Sequence, residues 1–105
     1  MASYRLSEIA KSDLIDIARW GDENHGVARS NKYRDDLKRH FTHIAQHPLS
    51  FPAVDHIRKG YRRSVIGVHS IYYLIDGDIV KIMAVIRAQS IQKHMQDNDK
   101  LGLDG

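Results

Sequence analysis

Apolar residues in the first part of the chain recur at helical spacing. After a short alternating stretch, Tyr4-Arg5-Leu6, the positions Leu6, Ile9, Ala10, Leu14, Ile17 and Ala18 follow steps of three and four, with Glu8, Lys11, Asp13, Asp16 and Arg19 on the other side. Ser7 supplies a capping hydroxyl and Glu8 an acid in the first turn. The pattern predicts a short strand entering a helix from about Ser7 to Trp20, ended by Gly21. A polar break from Gly21 to Gly26 follows, and then a second helical period through Val27, Ser30, Tyr33, Arg34, Leu37, Phe41, Ile44 and Ala45, closing at His47-Pro48. Two amphipathic helices joined by a short glycine-containing loop form an antiparallel hairpin.

Pro48-Leu49-Ser50-Phe51-Pro52 reads as a rigid crossing loop, after which the period changes from 3.6 to 2. Asp55 to Ile57 reads as a short strand, Gly60 as a turn and Tyr61 to Ile66 as a further strand ended by Gly67. Val68 to Ile75, Asp76-Gly77-Asp78 and Ile79 to Ala88 form a hairpin signal. Strict alternation places Ile71, Tyr73 and Ile75 with Ile82, Ala84 and Ile86 on the core face. Ser70, Tyr72, Leu74, Lys81, Met83 and Arg87 then share the opposite face. The expected architecture is α+β: an N-terminal strand and a helical hairpin packed on a small antiparallel sheet. The expected domain covers residues 1–91, with 92–105 a polar, flexible or partner-dependent tail.

At 105 residues this is one small domain, large enough for a core and too small for a second, nucleotide-binding half. The absence of cysteine removes disulfide frames, thiolate nucleophiles and Cys-ligated metal sites, and suits a cytoplasmic setting. Met1-Ala2-Ser3-Tyr4-Arg5 does not read as a signal peptide, and the apolar run Ile79 to Ile86 is too short to span a membrane. Sixteen Lys and Arg against thirteen Asp and Glu leave a formal charge of +3, so the placement of the cations matters more than their excess.

Those cations are unevenly placed. Arg58-Lys59-Gly60-Tyr61-Arg62-Arg63 holds four basic residues, one aromatic and no acid. Arginine forks and a tyrosine face suit phosphates, and Arg87 could join them from the last strand. The same run also fits a strand edge protected by charge. Proton transfer in a metal-independent nuclease could use Arg62, Arg63 and Arg87 as cations with His69, Lys93 or His94 moving protons. His40, His43 and His47 fall on one helical face at metal-ligand spacing, but equally suit the negative end of a helix dipole, and no metal site is assigned. Trp20 reads as hairpin packing. Walker loops, dinucleotide fingerprints and HExxH are missing from the sequence.

The order of these pieces resembles the RelE/ParE superfamily of bacterial toxins over about Tyr4 to Arg87. The resemblance rests on Leu6-Ser7-Glu8, Asp13-Leu14, Gly26, Ala28, Leu37, Ile44, His47-Pro48, Ile57-Arg58, Gly60-Tyr61-Arg62, His69-Ser70-Ile71-Tyr72-Tyr73 and Ile82 to Arg87. Gly60-Tyr61-Arg62-Arg63 followed by His69 to Tyr73 is similar to the ParE branch. That likeness implies a non-enzymatic toxin, without cofactor, that binds DNA gyrase and stalls it with cleaved DNA. It further implies a ParD-like antitoxin whose C-terminal segment wraps the toxin, in a hetero-oligomer that binds operator DNA through the antitoxin. Arg58, Tyr61, Arg62, Arg63, Tyr72 and Arg87 are the implied target or antitoxin contacts. The alternative, a RelE-like endoribonuclease acting on ribosome-bound messenger RNA, would draw on Arg62, Arg63, Arg87, Lys93 and His94.

Overall fold

The computed structural model describes residues 3–87. The elements run β1 (Ser3–Leu6), α1 (Glu8–His25), α2 (Val27–Gln46), β2 (Tyr61–Ile66), β3 (His69–Asp76) and β4 (Ile79–Arg87). The strands form one sheet in the order β1-β4-β3-β2. β2, β3 and β4 are antiparallel, and β1 adds to β4 in parallel. The helical hairpin covers one face of this sheet. Its inner stripe, Ala10, Leu37, Phe41, Ile44 and Ala45, packs on Ile71, Tyr73, Val80, Ile82 and Val85.

Gly21 lies inside α1 and does not end it. A Cβ there would sit 2.7 Å from Ser30 Oγ, so the glycine allows close helix–helix approach. Ser30 in turn donates to Ala18 O at 3.3 Å. The turn between the helices is made by Gly26 alone, whose φ of +85° suits a residue without a Cβ.

A bulge decides how β4 presents its side chains. Tyr73 pairs with Ile82 and Tyr72 with Ala84, leaving Met83 as an extra residue. Beyond it the alternation reverses. Val80, Ile82 and Val85 face the helices, whereas Ala84 and Ile86 turn to the helix-free face beside Tyr72. The expected core set of Ile82, Ala84 and Ile86 is therefore correct only at Ile82. Arg87 is likewise moved from the expected outer face to the helix side. Helix α1 anchors the irregularity: Ser7 Oγ donates to Met83 O at 2.9 Å, and Val85 N–H donates to the Asp13 carboxylate at 2.9 Å.

Residues 55–57 are turns instead of the expected short strand. The Asp55 carboxylate accepts from Gly60 N–H at 2.8 Å, which closes the loop locally. Within the preceding segment only Ala53 bridges to β2, opposite Arg62. Val54 and Ile57 fold over Tyr72 and Tyr61 to form a second, smaller cluster on the helix-free face. The β3–β4 hairpin closes through Gly77-Asp78, with Gly77 at φ +60°, as the two-residue primed turns require.

Candidate functional site

The basic run does not act as one unit. Arg62 faces the helix side, where its guanidinium donates to Phe51 O at 2.6 Å, and the neighbouring Tyr73 hydroxyl donates to Pro48 O at 2.6 Å. Together they tie the 48–52 loop to the sheet. Burial raises the Tyr73 pKa and the nearby Arg62 charge opposes that rise. Tyr61 and Arg63 sit on the opposite face, and the Arg58 guanidinium lies 5.8 Å from the Tyr61 ring centroid. Tyr72, expected as a contact residue, is only 5% exposed and packs with Val54.

Arg87 is separated from all of these. It pairs with His69 at the far end of β3, whereas Arg62 pairs with Tyr73. Four residues of strand at ~3.3 Å each put about 13 Å between the two positions along β3. The expected union of Arg87 with the basic run does not form. Lys93, His94 and the 92–105 tail lie outside the described residues.

Arg87 instead joins residues that sequence spacing had left apart. Its guanidinium lies 4.8 Å over the ring of Trp20, within cation–π range. Trp20 is 46% exposed, so it is a surface platform and not the hairpin packing expected of it. Next to it, buried His69 Nδ1 lies 2.7 Å from the Tyr33 hydroxyl, which also donates to Ile66 O at 3.2 Å. Burial, with the Arg87 charge adding to it, holds the His69 pKa below its ordinary value. Burial also raises the Tyr33 pKa, opposed by Arg87. Burial and Arg87 both favour the neutral form of His69 in this hydrogen bond.

These side chains line a cleft between the end of the helical hairpin and the β3–β4 end of the sheet. Two adjoining cavities of about 250 and 390 Å³ share Ile17, Trp20 and His69. Arg29 and Lys32 of α2 border the larger one. Three cations, Arg87, Arg29 and Lys32, and three acids, Asp13, Asp16 and Asp36, surround an apolar floor, which suits a peptide carrying an apolar anchor flanked by charged groups. Trp20 continues the α1 stripe one step past Ile17, and that spacing was the available signal in the sequence. The bulge that brings Arg87 to it had none.

The histidines of α2 have packing roles. His40 Nε2 lies 2.6 Å from the buried Ser64 hydroxyl, and burial, then the neighbouring His43, lowers its pKa. His43 packs edge-on against Phe51 and beside His47.

Comparison with known proteins bears on the whole domain. Residues 4–91 match the family model described as ParE toxin of type II toxin-antitoxin system, parDE. The chain belongs to the ParE toxin family. Toxin ParE1 of Caulobacter vibrioides is 30% identical over 95 residues, covering 90% of this chain and 99% of that protein. Toxin ParE1 of Mycobacterium tuberculosis is 30% identical over 84 residues, covering 76% and 86%. The fold is shared with a solved structure described as a chromosomal ParDE TA system from P. aeruginosa. The TM-score is 0.72 at 18% identity, with 83% of this chain and 96% of that chain covered. This ParE-type toxin has, among the described residues, no helix long and apolar enough to cross a membrane.

Proposed function

We propose that this toxin inhibits DNA gyrase by binding and stalls it with cleaved DNA, without catalysing a reaction itself. The match to the ParE model across residues 4–91 carries this reading. The distribution of the arginines supports it. Metal-independent RNA cleavage needs a base, an acid and cations gathered around one phosphate. Here Arg62 is tied to a backbone carbonyl, Arg63 stands on the opposite face, and Arg87 lies against Trp20.

A ParD-like antitoxin neutralises the toxin by laying an apolar and acidic segment into the Trp20 cleft. Arg87, Arg29 and Lys32 offer countercharge there, beside the cleft's own acids Asp13, Asp16 and Asp36. The pair then binds operator DNA through the antitoxin.

The test is incubation of the antitoxin-free protein with gyrase, ATP and supercoiled plasmid, followed by detergent and protease. Accumulation of linear DNA is expected. Folded protein that yields none overturns the proposal and favours ribosome-dependent RNA cleavage. That second reading has one local feature in its favour, the grouping of Arg87, His69 and Tyr33. Cleavage of ribosome-bound messenger RNA that is lost in Arg87→Ala would establish it.

A further inference from the structure

The charge of this chain divides by layer. The helical hairpin, residues 8–46, holds seven Lys and Arg and seven Asp and Glu. β1 with residues 47–87 holds seven Lys and Arg against three Asp. The positive excess of the described residues therefore belongs to the sheet and the loop leading into it. Arg62 and Arg87 face the helices. Arg5, Lys81 and Arg63 do not, since each alternates with core-facing neighbours, and Arg58 lies over Tyr61 on that same helix-free face.

The sheet register places these groups on two sides of a shallow floor. Tyr61, Leu74, Lys81 and Arg5 form one row across the four strands. Three interstrand steps of ~4.8 Å make that row about 14 Å long. Arg5 and Lys81 stand at one side, Arg58 and Arg63 at the other, with Leu74 and Ala84 half-buried between them. Of the acids, Asp55 caps the Gly60 turn, and Asp76 pairs with Lys81 at 3.1 Å in an exposed bridge that contributes little.

Protection of a sheet edge accounts for cations near β2, but not for Lys81, because β4 lies inside the sheet between β1 and β3. Arg5 stands beside Lys81 on the neighbouring parallel strand, and like charges so placed repel each other at some cost in stability. A polyanionic partner offsets such a cost.

We infer that the helix-free face of the sheet, through Arg5, Lys81, Arg58 and Arg63, binds the phosphate backbone of duplex DNA without reading sequence. Single strands are held by bases stacking on exposed aromatic faces. Here Tyr72 is buried and Arg58 lies over the Tyr61 ring, so the face offers charge and little stacking surface. The inference goes beyond the gyrase reading, which needs contact with the enzyme alone. It places the toxin against DNA as well.

The test uses the full chain, free of gyrase and antitoxin, with fluorescently labelled duplexes of about 20 bp in two unrelated sequences. Anisotropy is followed between about 50 and 200 mM salt. Four phosphate contacts predict equal affinity for both sequences, a log–log salt slope of about −4, and roughly a hundredfold loss across that range. Joint replacement Arg5→Gln with Lys81→Gln reduces the slope by about 2, and so does Arg58→Gln with Arg63→Gln. Lys11→Gln with Lys38→Gln, both exposed on the helices, leaves it unchanged. Circular dichroism establishes that each variant is folded, and the two sheet-face pairs serve as independent tests. The inference is overturned by absence of binding at low salt, by loss of binding in the helix-side pair alone, by strong preference between the duplexes, or by tighter binding of single strands of equal length. None of those results affects linear-DNA formation by gyrase, so the two readings fail separately.

Discussion

Ser7 joins the start of α1 to the β4 bulge. Its hydroxyl oxygen accepts from Ala10 N–H at 3.0 Å, capping the helix, while its proton goes to Met83 O at 2.9 Å. Ser7→Ala removes both bonds. Loss of the cap costs about 1 kcal/mol, and loss of the donor to a half-buried carbonyl about 1 more. The variant should therefore be about 2 kcal/mol less stable, with Tm lowered on the order of 10 °C in a domain of this size. Ser7→Thr keeps the acceptor and the donor and should stay within about 0.5 kcal/mol of the parent. Urea denaturation of the isolated toxin, read by far-ultraviolet circular dichroism, measures both. A Ser7→Ala loss below about 0.5 kcal/mol at unchanged m-value would refute the dual role, because a cap alone should exceed that.

Gly21→Ala gains about 1 kcal/mol of helix propensity but sets a Cβ 2.7 Å from Ser30 Oγ. Overpacking should win by about 1 kcal/mol, and adding Ser30→Ala should recover part of the loss in the same denaturation assay. Arg62→Ala should cost about 1–2 kcal/mol by releasing Phe51 O, whereas Arg63→Ala should cost under about 0.5 kcal/mol; equal losses would contradict the separate placement. His69 and His40 are both held below 6.5 by burial, reinforced by Arg87 and His43 respectively. The unfolded chain therefore binds protons that the folded chain resists, so stability is complete above about pH 6.5 and falls as pH drops through the folded pKa values. A Tm that stays level from about pH 8 to 5 would oppose this. Arg87→Gln should raise the His69 pKa toward 6.5, followed by NMR, and alter the emission of Trp20, the single tryptophan.

Local pattern alone determined the two helices, the strands Tyr61 to Ile66 and the β3–β4 hairpin, and the α+β class. Those elements follow from periodicity, from the Ser7 cap and from the Gly77 turn, all of which act between residues close in the chain. The family was legible for the same reason, since its motifs lie in those elements in order. Gly21 was misread because a glycine that stops a helix and one that admits a neighbouring helix look alike until Ser30 is placed against it. The site was less legible. Alternation propagates side-chain direction along a strand only while the ladder is regular, and the extra residue at Met83 reverses it for Ala84, Ile86 and Arg87. That bulge is held by Ser7 and Asp13, more than seventy residues earlier. Tertiary structure thus decided that Arg87 meets Trp20 and His69, that Arg62 serves the loop, and that Arg5 and Lys81 share a face with Arg58 and Arg63. Each of these depends on contacts between distant segments, to which local propensity is blind.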